Sequence, residues 1–118
     1  MEKPYHRTKH IRSPDGLCYT ISMIVGVLEL TLHLPESHSL KDKRQIITSL
    51  IPRVRQRFEV AIAEVEENER WQIAKLGASY VSNSRQHACK VLEQVRRYIE
   101  ETRPDIVVAA SEIEIMSW

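Results

Sequence analysis

Glycine, cysteine and aromatic side chains are scarce in this chain, and each shortage removes a class of function. The 118 residues include three glycines, two cysteines, one phenylalanine and 6% aromatics in all. The stretch LHLPESHSLKDKR, which follows the first strand pattern, has no glycine. A phosphate-cradling loop of the acylphosphatase type needs that backbone freedom. Cys18 and Cys89 lie far apart and belong to no CxxC or Cys/His cluster, which argues against metal-trafficking and iron–sulfur chemistry. They read as free thiols, as a reducing cytoplasm would leave them. No DxDxDG loop is present to gather carboxylates around a hard cation. No uncharged stretch approaches the roughly 20 residues that cross a bilayer, and no apolar run of signal-peptide type precedes Leu17. The sequence therefore predicts a cytoplasmic protein without membrane contact. Charge is balanced too, with 17 basic against 16 acidic residues, so the sum alone announces no nucleic-acid partner.

What is present is the composition of one globular domain, 42% apolar and 28% charged. Residues 1–22 read as an irregular arm, with no hydrophobic period and four basic against two acidic residues. An upstream start would account for it as well as a functional tail would. The domain is placed at residues 23–118. From Ile24, Leu28, Leu30, Leu32 and Leu34 alternate with Glu29, Thr31 and His33, a half-buried strand ended by Pro35. Ser39 is a good N-cap for a helix whose apolar stripe is Leu40, Ile47, Leu50, Ile51, Val54 and Phe58. Pro52 predicts a kink or break near Thr48–Pro52. Glu59–Glu66 reads as a second strand and Ala74–Tyr80 as a third, joined by an acidic hairpin. Ser82, Asn83 and Ser84 offer caps for a second helix carrying Ala88, Val91, Leu92, Val95, Tyr98 and Ile99, and Asp105–Met116 is the last strand. Two right-handed halves of this order give an α+β ferredoxin-like βαββαβ sandwich. Its four-stranded antiparallel sheet carries both helices on one face.

The open sheet face would present Val25, Val27, Ile73 and Val81, a surface that a second copy could cover. The sharpest local feature is His38, Lys41, Lys43 and Arg44 at the start of the first helix, with Arg55 further along. Cations there oppose the positive end of the helix dipole, so helix stability does not explain them. Residues 39–58 hold six bases and one acid, whereas residues 59–69 hold five acids and no base. Two readings stay open: an anion-binding surface, or a solvated face with ion pairs to the acidic hairpin. His33 and His38 lack a third ligand, and Cys89, beside His87 and Lys90, lacks an acid or oxyanion partner. No metal site, cofactor, small-molecule substrate or catalytic set is therefore expected. Trp71, at the hairpin, reads as a lid over the core edge rather than an exposed anchor.

MIVGVLELTLHLPESHSLKDKR followed by RFEVAIAEVEENERWQIAKLGASYVSNSRQHACKVLE resembles the YlxP-like family of small bacterial proteins. The resemblance covers essentially Met23 to Ile115 and rests on His38, Ser39, Leu40, Lys41, Lys43, Arg44, Trp71, Gln72, Gly77, Ser82 and Asn83. It implies a ferredoxin-like fold and no established enzymatic activity. Because genes of that family often lie among those for translation initiation and small-subunit maturation, it also suggests a ribosome-associated role. The resulting expectation is a non-catalytic accessory protein that docks on RNA or the small ribosomal subunit through its basic first helix, extended by Arg7, Lys9 and Arg12. The alternative is a homodimeric protein-interaction module built on the open sheet face, with no nucleic-acid role.

Overall fold

Alternating burial along Ile24–His33 turns Leu28, Leu30 and Leu32 inward to 0–1% exposure, and the rest of the domain is built on that strand. The computed structural model describes residues 9–12, 14, 18–21, 23–66 and 69–118, with side chains at 14, 23–66 and 69–118. The elements run β1 (Lys9–Arg12), β2 (Cys18–Ile21), β3 (Ile24–His33), α1 (Leu40–Phe58), β4 (Ala61–Glu66), β5 (Ile73–Ser82), α2 (Arg85–Thr102) and β6 (Val107–Ser117). The main sheet has the order β4-β5-β3-β6, antiparallel throughout, so β3 is central and pairs with both β5 and β6. With α1 and α2 packed on one side, this is the ferredoxin-like α+β fold that the strand–helix order predicts.

Three local features depart from the expectation. The arm is not wholly irregular, because β1 and β2 pair antiparallel from Lys9↔Ile21 to Arg12↔Cys18. Ile11, Tyr19, Thr20 and Ile21 favour strands, and the intervening sequence, Ser13-Pro14-Asp15-Gly16, is of turn type. Secondly, α1 runs unbroken from Leu40 to Phe58 through Pro52. Thr48 and Pro52 both lie on its exposed side, so water can take the carbonyl that proline leaves without an N–H partner. Thirdly, Trp71 is 51% exposed and is no lid.

Each helix starts on a serine. Asp42 N–H donates to Ser39 Oγ at 3.0 Å, and the Asp42 carboxylate reaches back to His38 N–H at 2.9 Å. His87 N–H donates to Ser84 Oγ at 3.2 Å, so Ser84 is the cap of α2. Together with β3, the core takes Ile47, Leu50 and Val54 from α1, Leu92, Val95 and Ile99 from α2, and Ala74 and Leu76 from β5. Gly26 lies under α2: a Cβ there would sit 2.7 Å from Leu92 Cδ1 and 3.2 Å from Ile115 Cδ1. That close approach leaves room only for hydrogen.

Both sheet edges are touched by a helix arginine. Arg55 donates to the Ile62 carbonyl of β4 at 3.0 Å. Arg85 donates to the Ile115 carbonyl of β6 at 3.3 Å and to Ser117 Oγ at 2.7 Å. Bulges at Glu64/Glu66 and Thr31/Leu32 further interrupt the ladders of the two edge strands. These are devices that discourage edge-to-edge pairing.

Candidate functional site

The layers of the sandwich carry opposite charge. The two helices hold ten basic residues against four acidic ones, and the four strands of the main sheet hold one basic against five acidic. A chain of near-zero net charge is therefore divided into a basic helix layer and an acidic sheet.

The helix cations do not all behave alike. Lys43 is only 2% exposed; its ammonium donates to the Arg70 carbonyl at 2.8 Å and lies 3.0 Å from Glu64 Oε2. That carboxylate oxygen is itself buried and makes only an ion-pair contact, without good hydrogen-bond geometry. Lys43 therefore leaves the candidate anion-binding set, because its charge is spent on the acidic hairpin of its own chain. Lys41 and Arg44 are exposed, and no ion pair among the described residues involves them. His38 is exposed on the turn just ahead of α1. Arg55 is exposed but its guanidinium bonds the edge of β4, so only part of its donor fork faces solvent. Arg7 lies outside the described residues, as do the side chains of Lys9 and Arg12.

Cations that the sequence reading passed over complete the layer. Arg53 and Arg57 are exposed on the side of α1 that borders α2, and Arg97 is exposed on α2 next to Tyr98. Arg103, just past α2, is engaged: it donates to Asp105 at 2.9 and 3.0 Å and to Ser49 Oγ at 3.0 Å. That hydrogen bond from Arg103 holds the Asp105 carboxyl below the usual aspartate range.

On the opposite side of the sheet, Lys75 bridges Glu29 at 3.4 Å and Glu66 at 3.6 Å, and Glu29 first, then Glu66, raise its pKa. The register sets Glu112 directly across from Glu29. Val25 pairs with Val81, and Val27 is two residues on, so these three gather at one end of the open face. Ile73 is opposite His33, about 20 Å further along β3 at the ordinary rise per residue. The four residues expected to form one interface are thus split.

Nothing among the described residues assembles a catalytic centre. No group of three His, Cys, Asp or Glu gathers to hold a metal ion. Tyr80 Oη lies 3.2 Å from His87 Nε2, and Cys89 Sγ faces Glu93 Oε1 at 3.9 Å. Neither pair has the third, orienting group that nucleophilic or acid–base chemistry requires. Cys18 has no described side chain. No helix among the described residues is long and apolar enough to cross a membrane. What the helix layer can do is contact a polyanion with exposed ammonium and guanidinium groups.

The chain is similar to "Uncharacterized protein YlxP" of Bacillus subtilis (strain 168), with 31% identity over 77 residues, 65% of this chain and 84% of that protein. Among solved structures it is similar to the de novo designed protein Foldit4, with a TM-score of 0.41 and 13% identity, over 82% of this chain and 96% of that one. The profile described as "Protein of unknown function (DUF503)" matches residues 25–113, which takes in β3 almost whole, both helices and most of β6. The chain belongs to the DUF503 family, as a YlxP-like protein.

Proposed function

We propose that this is a non-catalytic, cytoplasmic accessory protein that associates with RNA, in the setting of translation or small-subunit maturation, through its basic helix layer. The observation that supports the reading is the sorting of charge by layer. With the Lys43–Glu64 pair set aside, α1 still exposes Lys41, Arg44, Arg53, Arg55 and Arg57, against Asp42, whose carboxylate is committed to the cap at His38. Lys41 and Arg44 oppose the dipole at the start of α1, at a cost to the helix that a polyphosphate partner would explain, whereas Arg55 and Arg57 in its last turn suit the dipole and extend the same positive charge. Binding of this kind is read through phosphates and falls steeply with salt. On lysate gradients at low salt the protein travels with small ribosomal subunits and leaves them when salt is raised, and Lys41→Ala/Arg44→Ala weakens the association. A protein that stays at the top of the gradient at every salt concentration defeats the reading.

A homodimer across the open sheet face has one observation in its favour, the shared exposed end of Val25, Val27 and Val81. It has electrostatics against it. Glu29, Glu112 and Glu114 lie on that same face with Lys75 as the only strand base, and stacking two copies sets like charges together. Sedimentation equilibrium is expected to give the monomer mass both for the natural chain and for Val27→Arg. A natural chain at twice that mass which the substitution splits would restore the dimer.

A further inference from the structure

We infer that the groove between α1 and α2 is a phosphate-binding cleft for RNA, centred on Arg57 and flanked by Arg53 and Arg97, which deepens the RNA reading and rests on it. Two adjoining depressions meet there and share Arg57 and Tyr98; Arg53 and Gln56 line one, and Gln94 and Arg97 the other.

Arg57 is the unusual residue. Its guanidinium lies 5.2 Å from the centroid of the Tyr98 ring and 5.7 Å from that of Phe58. Those rings meet edge to face at 5.5 Å and 76°. Contact with two aromatic rings holds the guanidinium beside them by cation–π attraction, without using an N–H. Among the described residues no carboxylate or carbonyl takes a hydrogen bond from Arg57, and none takes one from Arg53 or Arg97. The neighbouring Arg96 spends its charge on Glu100 at 2.6 Å. Arg97 has Glu101 at the same i,i+4 spacing and forms no such pair, although Glu101 is on the rim of the groove. The result is an arginine held in place with its donor fork unoccupied, between two more unpaired arginines. That arrangement matches the bidentate geometry of a phosphate group.

The distribution of cations favours a chain of phosphates over a single one. Arg53 and Arg57 are one turn apart on α1, about 6 Å at about 1.5 Å per residue, and Arg97 faces them from α2, so the groove offers cations to successive phosphates. Both rings that line the groove, Phe58 and Tyr98, are half-buried and lie beside the Arg57 guanidinium, which leaves little open ring face for a base. Recognition is therefore of the backbone, independent of sequence.

The test is anisotropy of a fluorescein-labelled RNA hairpin with the full chain, at about 50 and about 200 mM KCl. Arg53→Ala/Arg97→Ala removes two exposed side chains with little risk to the fold. It is expected to weaken binding about 10-fold and to flatten the log K against log salt slope by about 2. Arg57→Lys keeps the charge and loses the fork, so affinity falls while the slope holds. If the hairpin binds, Arg53→Ala/Arg97→Ala is without effect, and Lys41→Ala/Arg44→Ala is the variant that weakens it, the cleft is wrong and the RNA reading stands. If the natural chain does not bind at low salt, both fall. Saturable binding of a nucleoside monophosphate at submillimolar concentration, lost in Arg53→Ala/Arg97→Ala, overturns the assignment to polynucleotide.

Discussion

Lys43→Ala is expected to lower the unfolding free energy by about 3 kcal/mol, and the melting temperature by roughly 10–15 °C. The ammonium is 3% exposed at the side chain, the Glu64 carboxylate 25%. Removing only the cation leaves a largely desolvated carboxylate without its counter-charge, and breaking a buried pair in this way costs about 3–5 kcal/mol. The partial exposure of Glu64 lets water recover some of that, which places the value at the low end. The Arg70 carbonyl also loses its donor at 2.8 Å, and with it the tie between the β4–β5 hairpin and the start of α1. Lys43→Met/Glu64→Leu removes both charges and fills similar volume, so most of the stability returns, because desolvation offsets much of the attraction within such pairs. Denaturant melts of the two single variants and the double one measure this. A loss below about 0.5 kcal/mol for Lys43→Ala would class the pair as an ordinary surface contact. RNA affinity per folded molecule is unchanged in Lys43→Ala, since this ammonium does not reach the helix surface.

Lys43 also shows how far the sequence could be read. Its spacing to Ile47, Leu50 and Val54 puts it in the inward stripe of α1, and those four are the buried residues of that helix. A lysine in an apolar stripe followed by an acidic hairpin is a legible signal of an internal pair. Grouping Lys43 with Lys41 and Arg44 by proximity in the chain overrode the helical period. The β3 and α2 patterns were unambiguous because burial repeats with a strict period along both. Arg57 and Arg97 are a different matter. They lie forty positions apart, and only the packing of α1 against α2 brings them to one groove. Trp71 was misjudged because the hydrophobic content of an indole predicts burial on average, while its two neighbours are clamped by other groups. Lys43 binds the Arg70 carbonyl, and Gln72 accepts from Leu34 N–H at 2.8 Å and donates to the Ser37 carbonyl at 3.2 Å. With the backbone fixed on either side, the ring projects outward.

Pro52→Ala is expected to stabilise the protein by about 2 kcal/mol and to raise its melting temperature by roughly 10 °C. A proline inside a helix costs about 3 kcal/mol relative to alanine, partly through the missing N–H and partly through the clash of its ring with the preceding turn. Here the first part is reduced, because Thr48 and Pro52 lie on the solvent side. The second part remains, and so does a smaller opposing effect, since proline also restricts the unfolded chain. Pro52 is exposed and is not part of the buried stripe formed by Lys43, Ile47, Leu50 and Val54, so little packing is lost against the gain. Calorimetry reads the shift directly, and an unchanged or lower melting temperature means that the ring makes a contact the helix needs. The same variant separates stability from binding. Arg53 follows Pro52 directly and Arg57 is one turn beyond, so a change of backbone geometry at this point is carried to the residues that line the groove. A gain in stability accompanied by weaker RNA binding would mean that the proline sets the shape of the groove, at an energetic expense the fold carries for its partner.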